Sequence, residues 1–144
     1  MRRRHDDRSL HPVMALLSRG RRKRLRKDLA PQRRKANTAV RAALAAQQKA
    51  LKADPDKPPA IDQIERVAAT LEDLAKDLRR RAGGDAKVAS AAQGVADLAE
   101  AYDTMAAAQR ADDVDRAAAL MRRSIAALDR SDRQKARAGD AWPL

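Results

Sequence analysis

Ten lysine and arginine side chains lie close together in the first quarter of the chain, and they are the residues of this sequence best suited to hold a ligand. They are Arg19, Arg21, Arg22, Lys23, Arg24, Arg26, Lys27, Arg33, Arg34 and Lys35. Clustered cations neutralise phosphate groups and release their counterions, which gives affinity without reading a base sequence. We therefore predict that these residues bind nucleic acid or another polyanion.

The residues around this cluster suggest how it would bind. From Met1 to Asn37 there are 14 Lys or Arg against three Asp, a net charge of +11, whereas the rest of the chain carries only +1. The same segment holds no aromatic side chain that could stack on a base, and Gln32 and Asn37 are its only amides. We therefore expect contacts with backbone phosphates, independent of base sequence and sensitive to salt.

Other interpretations of the basic segment stay open. The run from Arg19 to Lys27 also resembles a nuclear-import signal, a ribosomal-type tail or a binder of lipid headgroups, and a bland solubilising extension would have the same composition. Peripheral membrane contact would use the apolar residues that precede the cations, which are Leu10, Val13, Met14, Leu16 and Leu17. This apolar face is short and lacks the Trp or Phe anchors that are usual for in-plane helices.

The main alternative function is protein interaction rather than polyanion binding. In this interpretation the chain is a helical adaptor or a homo-oligomer, and its basic segment docks an acidic partner. An apolar helix face left exposed in the monomer would indicate such a role.

Catalytic and metal-binding patterns are not found in the sequence. A carboxylate-bridged metal site in a helical bundle needs Glu and His three residues apart on inward faces, but His5 and His11 are the only histidines. Without another histidine, the serines and threonines have no obvious base. The acids Asp112, Asp113 and Asp115 are better explained as helix caps than as a cation site. We therefore expect no enzyme activity, no cofactor and no metal.

The clearest element that could carry these cations runs from Ile61 to Ala82, where apolar residues alternate three and four positions apart. They are Ile61, Ile64, Ala68, Leu71, Ala75, Leu78 and Ala82. This spacing predicts a helix with one apolar seam. Similar seams predict three further helices, and their residues are Val40, Leu44, Gln47 and Leu51, then Val88, Ala91, Val95, Leu98, Tyr102, Met105 and Gln109, and finally Val114, Ala118, Met121, Ile125 and Leu128.

The four seams together predict an all-α fold, an up-down-up-down four-helix bundle with coiled-coil-like packing. Its helices are expected at about 31–53, 61–82, 85–110 and 113–130 or slightly beyond. We divide the chain into a basic, largely disordered N-terminal arm (residues 1–30), the bundle (31–138) and a C-terminal tail (139–144). Alanine supplies much of the hydrophobic 44%, so the core should be thin.

The overall composition bears on location. No stretch approaches the roughly 18 apolar residues of a membrane span, and the N-terminal residues lack the pattern of a signal peptide. There is no cysteine. We expect a cytoplasmic protein, and its Ala- and Arg-rich style is typical of high-GC bacterial coding.

Overall fold

The structure, a computed structural model, describes residues 7–53 and 61–144. The predictions for the first six residues and for the connection at 54–60 lie outside these ranges. All regular structure within them is helical, which confirms the all-α class. The elements are α1 (Asp7–Asp28), α2 (Ala30–Ala53), α3 (Ile61–Arg81), α4 (Ala86–Arg110), α5 (Val114–Ala138) and a terminal 3₁₀ turn (Gly139–Ala141).

Helix α4 lies between α3 and α5. Ala99 lines a cleft together with Ala68 and Ala75 of α3, whereas the carbonyl oxygen of Ala101 accepts a hydrogen bond from Ser124 of α5. Ala99 and Ala101 are two positions apart in the chain, which corresponds to about 200° around a helix. Helices α3 and α5 therefore pack on opposite sides of α4. This explains why α4, unlike its neighbours, is apolar around most of its circumference.

The core combines large side chains from α3 with small ones from α4. The predicted α3 seam is confirmed, because Ile64, Leu71 and Leu78 are each 2% exposed or less. Opposite them α4 contributes mainly alanines, whose small volume lets the helices approach closely. The N-terminal caps are Asp85 for α4 and Asp113 for α5.

The predicted seam of α5 is wrong. Val114 is 82% exposed and Ile125 is 54% exposed, while the residues buried against α4 are Ser124, Ala127 and Ser131. The serine hydroxyls donate to main-chain carbonyl oxygens of α4 at 2.8 Å. Small side chains that satisfy their own polar atoms permit a closer approach of two helices than the larger apolar residues would. The helix also continues to Ala138, beyond the expected end near residue 130.

Helix α2 is rotated relative to its predicted seam. Ala36 and Ala43 are its buried contacts, whereas Leu44 is 47% exposed. The helix packs chiefly against α3, and contacts with α5 are marginal at most. The apolar faces of α2 and α5 therefore do not pack against each other, although the four-helix bundle predicted from the sequence would require it.

The prediction of a largely disordered arm is wrong for Asp7–Asp28, which form helix α1. Leu29 joins α1 to α2 and is 1% exposed. Its amide donates to the carbonyl of Leu25, and its carbonyl accepts from the amide of Arg33, both at 2.9 Å. Helical hydrogen bonding thus continues through the joint, and Pro31, which has no N–H, falls in the first turn of α2.

The C-terminal residues form part of the folded body instead of a separate tail. Ala141 and Pro143 are buried, and the indole of Trp142 lies against Gly94 of α4. The carbonyl oxygen of Pro143 accepts a 2.7 Å hydrogen bond from Nε of Arg33. The tail is therefore hydrogen-bonded to the start of α2.

Candidate nucleic-acid interface

The ten predicted cations lie on the last three turns of α1 and the first turns of α2, and most of them point outward. Eight are exposed and form no ion pair with any described acid: Arg19, Arg21, Lys23, Arg24, Arg26, Lys27, Arg34 and Lys35. Those on α1 lie on its outer side because the inward positions are taken by Arg22, Leu25 and the following Leu29, spaced three and four apart. The sequence pattern and the helix geometry thus agree on which side faces solvent.

Arg22 is the exception among the ten. It is 7% exposed and lies between two carboxylates, with a terminal guanidinium nitrogen 3.3 Å from Oδ2 of Asp85 and the other 3.2 Å from Oδ2 of Asp140. Its Nε is 3.1 Å from Oδ1 of Asp140, but this N–H is not directed at the oxygen. Arg22 therefore holds α1 on the folded body and is not available to a ligand.

The same ion pair sets the ionisation of Asp140. Partial burial acts to raise the pKa of this carboxyl, but Arg22, with help from Lys87, outweighs it and holds the pKa below its ordinary value. The carboxylate of Asp140 consequently stays ionised across the physiological pH range and keeps its ion pair with Arg22 of α1.

Three further cations bond to main-chain carbonyls. Arg26 donates to the carbonyl of Asp140, Arg33 to that of Pro143, and Arg34 to that of Ala30. Burial, and secondarily repulsion by Arg26, lowers the pKa of Arg33 from its ordinary value. Arg33 is half-buried, so it acts chiefly in fixing the tail, whereas Arg26 and Arg34 remain exposed.

The sequence analysis missed three cations that extend the same surface along α2. Arg41, Lys49 and Lys52 are exposed on the helix that follows the predicted cluster. We call the exposed cations of α1 and α2 the basic face. Its members are Arg19, Arg21, Lys23, Arg24, Arg26, Lys27, Arg34, Lys35, Arg41, Lys49 and Lys52.

A charge count over the correct interval would have found this extension. From Arg19 to Lys52 there are thirteen lysines and arginines and a single acid, Asp28, a net charge of +12 that equals the charge of the whole chain. Asp28 itself is 3.5 Å from a guanidinium nitrogen of Arg81, at the end of α3. The only acid on these two helix segments is therefore already paired, and the basic residues that close α3 adjoin the basic face.

Known proteins offer no relative from which the role of the basic face could be inferred. No protein-family model, curated protein or solved structure matches the chain.

Other chemistries find little support among the described residues. No group of three or more histidine or carboxylate side chains there is placed to hold a metal ion. None of the described helices has the length and apolarity needed to cross a membrane. The cleft between α2 and α3 is lined mostly by charged side chains, and the cleft between α3 and α4 is lined by alanines and charged side chains. The basic face is the largest concentration of one kind of chemistry on this surface.

Proposed function

We propose that the basic face binds the phosphate backbone of nucleic acid without base specificity. The observation that carries this proposal is the set of eleven exposed lysines and arginines between Arg19 and Lys52, on two consecutive helices whose only acid in that interval, Asp28, is already paired. Cationic side chains carried on folded helices bind a regular polyanion with less loss of conformational entropy than those of a flexible arm would.

The dimensions of the two helices fit a duplex. The 34 residues from Arg19 to Lys52 follow a helical path of about 50 Å at ~1.5 Å per residue. Double-stranded DNA presents one negative charge per ~1.7 Å of its axis. A basic face of this length therefore meets many more phosphates than it has cations, and its affinity is limited by the number of side chains that reach the backbone.

The composition of the face argues against base recognition. No aromatic residue lies between Arg19 and Lys52, so stacking on unpaired bases has no platform. Of the amides there, Gln47 is engaged with the sulfur of Met105. Binding should therefore depend on charge and salt, and such a role would go with the cytoplasmic location expected from the sequence.

We also infer that α2 to α5 act as one scaffold of alternating helix direction, the up-down-up-down unit predicted from the sequence. The extensive packing of α3 and α5 on α4 supports this inference. In that arrangement α1 is an addition to the scaffold, attached through Arg22, and the basic face runs across both.

The experiment that tests the function compares two variants with the same change in net charge. The first replaces Arg21, Lys23, Arg24 and Lys27 with glutamine, and the control replaces four exposed arginines of α5, which are Arg116, Arg123, Arg133 and Arg137. The first variant should lose most affinity for duplex DNA, and its slope of log affinity against log salt should become shallower by up to ~3.6 if all four residues contact phosphates. The control should retain its affinity.

Equal losses in both variants would mean that net charge alone matters and that the basic face is not the site. Parallel binding to vesicles of anionic lipid separates the membrane alternative, for which exposed Leu17 would supply an apolar contact. Vesicle binding without binding to DNA or RNA would replace nucleic acid by a membrane surface as the ligand.

A further inference from the structure

Helix α5 carries an apolar stripe on a side that does not face α4. The stripe consists of Val114, Ala118, Met121, Ile125 and Leu128, spaced alternately four and three residues apart. Val114 is 82%, Met121 38% and Ile125 54% exposed. This is the seam spacing of a coiled coil, yet the described part of the chain does not cover it.

The stripe is exposed because the helix has two different faces. Its contact with α4 uses Ser124, Ala127 and Ser131, which lie roughly 110° away from the centre of the stripe at 100° per residue. Helix α2, which would have to cover the stripe in a closed bundle, packs on α3 instead. Water-exposed apolar residues in such a continuous row mark an interaction surface more often than an isolated exposed leucine does.

Three charged residues border the stripe on its open flank. Asp115, Arg122 and Asp129 recur every seven residues, and all three are exposed. None of their side chains forms an ion pair with a described residue. The flank thus presents acid, base and acid in a row, in positions that in coiled coils select the partner helix and its register.

We propose that the stripe pairs with the same stripe of a second copy of this chain, antiparallel and about a two-fold axis near Ile125. In this register Arg122 of each copy faces Asp129 of the other, so one contact occurs twice, as a two-fold interface requires. Met121 lies opposite Leu128 of the second copy. This self-complementary charge pattern is the reason for choosing a second copy of the chain as the partner of the stripe.

A different overlap is disfavoured by the same charges. An axis near Met121 would align more of the two stripes. It would, however, place Arg122 opposite Arg122 of the second copy, and Asp115 opposite Asp129 of the second copy. Like charges placed directly opposite each other oppose association. The charged flank therefore selects the register around Ile125, even though the apolar overlap is shorter.

The expected interface is small. The stripe ends at Asp132, so its apolar centre consists of Met121, Ile125 and Leu128 from each copy. We place the buried area below ~1,200 Å², within the class of weak and transient interfaces, and expect a reversible dimer that forms at about 10–500 µM protein. This inference does not depend on the basic face, because α5 lies on the opposite side of α4 from α3 and α2.

Charge exchange tests the register in the full-length chain. Arg122→Asp and Asp129→Arg should each abolish self-association in analytical ultracentrifugation at concentrations where the unchanged chain is dimeric. An equimolar mixture of the two variants should restore a dimer, because each acidic flank then meets a basic one. Asp115→Arg, seven residues away from Arg122, should leave the dimer intact.

A second pair of variants tests the apolar contact. Ile125→Lys should abolish the dimer, and Ala119→Lys, an exposed residue on a different side of α5, should not. Circular dichroism establishes that the variants are folded. Three results would each overturn the proposal: a chain that stays monomeric at the highest concentration, a dimer unaffected by Ile125→Lys, or a mixture of the two charge variants that fails to pair. A monomeric chain would leave the stripe to a different apolar partner.

Discussion

The indole of Trp142 lies so close to Gly94 that a β-carbon at this position would stand 2.7 Å from Cζ3 of the ring and 2.9 Å from Cβ of Gln134. Gly94 sits inside helix α4 with ordinary helical geometry, so its role is to make room and not to provide an unusual backbone conformation. Its carbonyl oxygen also accepts the hydroxyl of Ser131. One glycine thus admits both the C-terminal tail and the close approach of α5.

We predict that Gly94→Ala displaces the tail. The added methyl group forces the indole or the backbone to move, at a cost typical of overpacking, about 1–3 kcal/mol. Trp142 is the only tryptophan, so its fluorescence emission should shift to longer wavelength, and the melting temperature should fall. Gly20→Ala is the control, because no atom lies within 4 Å of a β-carbon there. Unchanged emission in Gly94→Ala would contradict the packing.

A second prediction concerns the attachment of α1. Arg22→Gln removes the charge that holds Asp85 and Asp140, while Arg24→Gln removes an exposed charge from the same helix. We expect a loss of about 1–3 kcal/mol for the first change, less than for a fully buried pair because solvent reaches Asp140. Amide hydrogen exchange should accelerate in α1 for Arg22→Gln alone. Equal exchange in both variants would mean that Arg22 does not anchor the helix.

The same ion pair predicts acid sensitivity. The pKa of Asp140 is lowered in the folded state, so its contribution to stability is present above the ordinary carboxyl pKa and is lost as the pH falls through the lowered value. The melting temperature of the unchanged chain should therefore fall on acidification below about pH 4, and part of this loss should disappear in Asp140→Asn. An identical acid profile in the two proteins would exclude Asp140 as the group responsible.

The sequence predicts some parts of this molecule better than others, for physical reasons. The α3 seam could be identified because one face of that helix is apolar and the other charged. The seam of α5 could not, because periodicity reveals an apolar face but not whether a partner covers it, and serines that bond to carbonyl oxygens look polar in the sequence. The cations of the candidate site are evident from composition. The burial of Arg22 is not, since its partners lie 63 and 118 residues further along the chain.

Tyr102 offers a prediction at high pH. It is 8% exposed, and burial raises the pKa of its phenol above the ordinary value of 10.0. Stability from the neutral phenol is present below pH ~10 and lost as the pH rises through the raised pKa. The absorbance of the chain's only tyrosine should therefore titrate at a higher pH in the folded protein than in concentrated urea. Coincident titration curves would place the phenol in solvent.

The core prediction contrasts two residues of α3. Leu71 is completely buried, so Leu71→Ala should cost about 2–5 kcal/mol of unfolding free energy, enough to unfold a chain with so many alanines in its core. Arg80→Ala removes an exposed side chain whose one ion pair within the described residues is with Asp77 on its own helix, and should be nearly neutral. Chemical denaturation measures both. Similar midpoints for the two variants would show that the α3 seam is not the core.

The last prediction asks what kind of contact the basic face makes. If about 6–10 of its cations reach phosphates, the slope of log affinity against log salt on duplex DNA should lie near −5 to −9. Lysine at Arg19, Arg21, Arg24 and Arg34 preserves the charge but removes the planar guanidinium, so a purely Coulombic contact should retain most of its affinity. A loss beyond about tenfold would indicate bidentate phosphate binding that lysine cannot reproduce. Duplexes of unrelated sequence should bind with closely similar affinity, because the eleven cations of the face far outnumber the exposed amides between them, Gln32 and Gln48, and are expected to contact phosphates. A strong preference for one sequence would contradict a phosphate-only interface, whatever the salt slope.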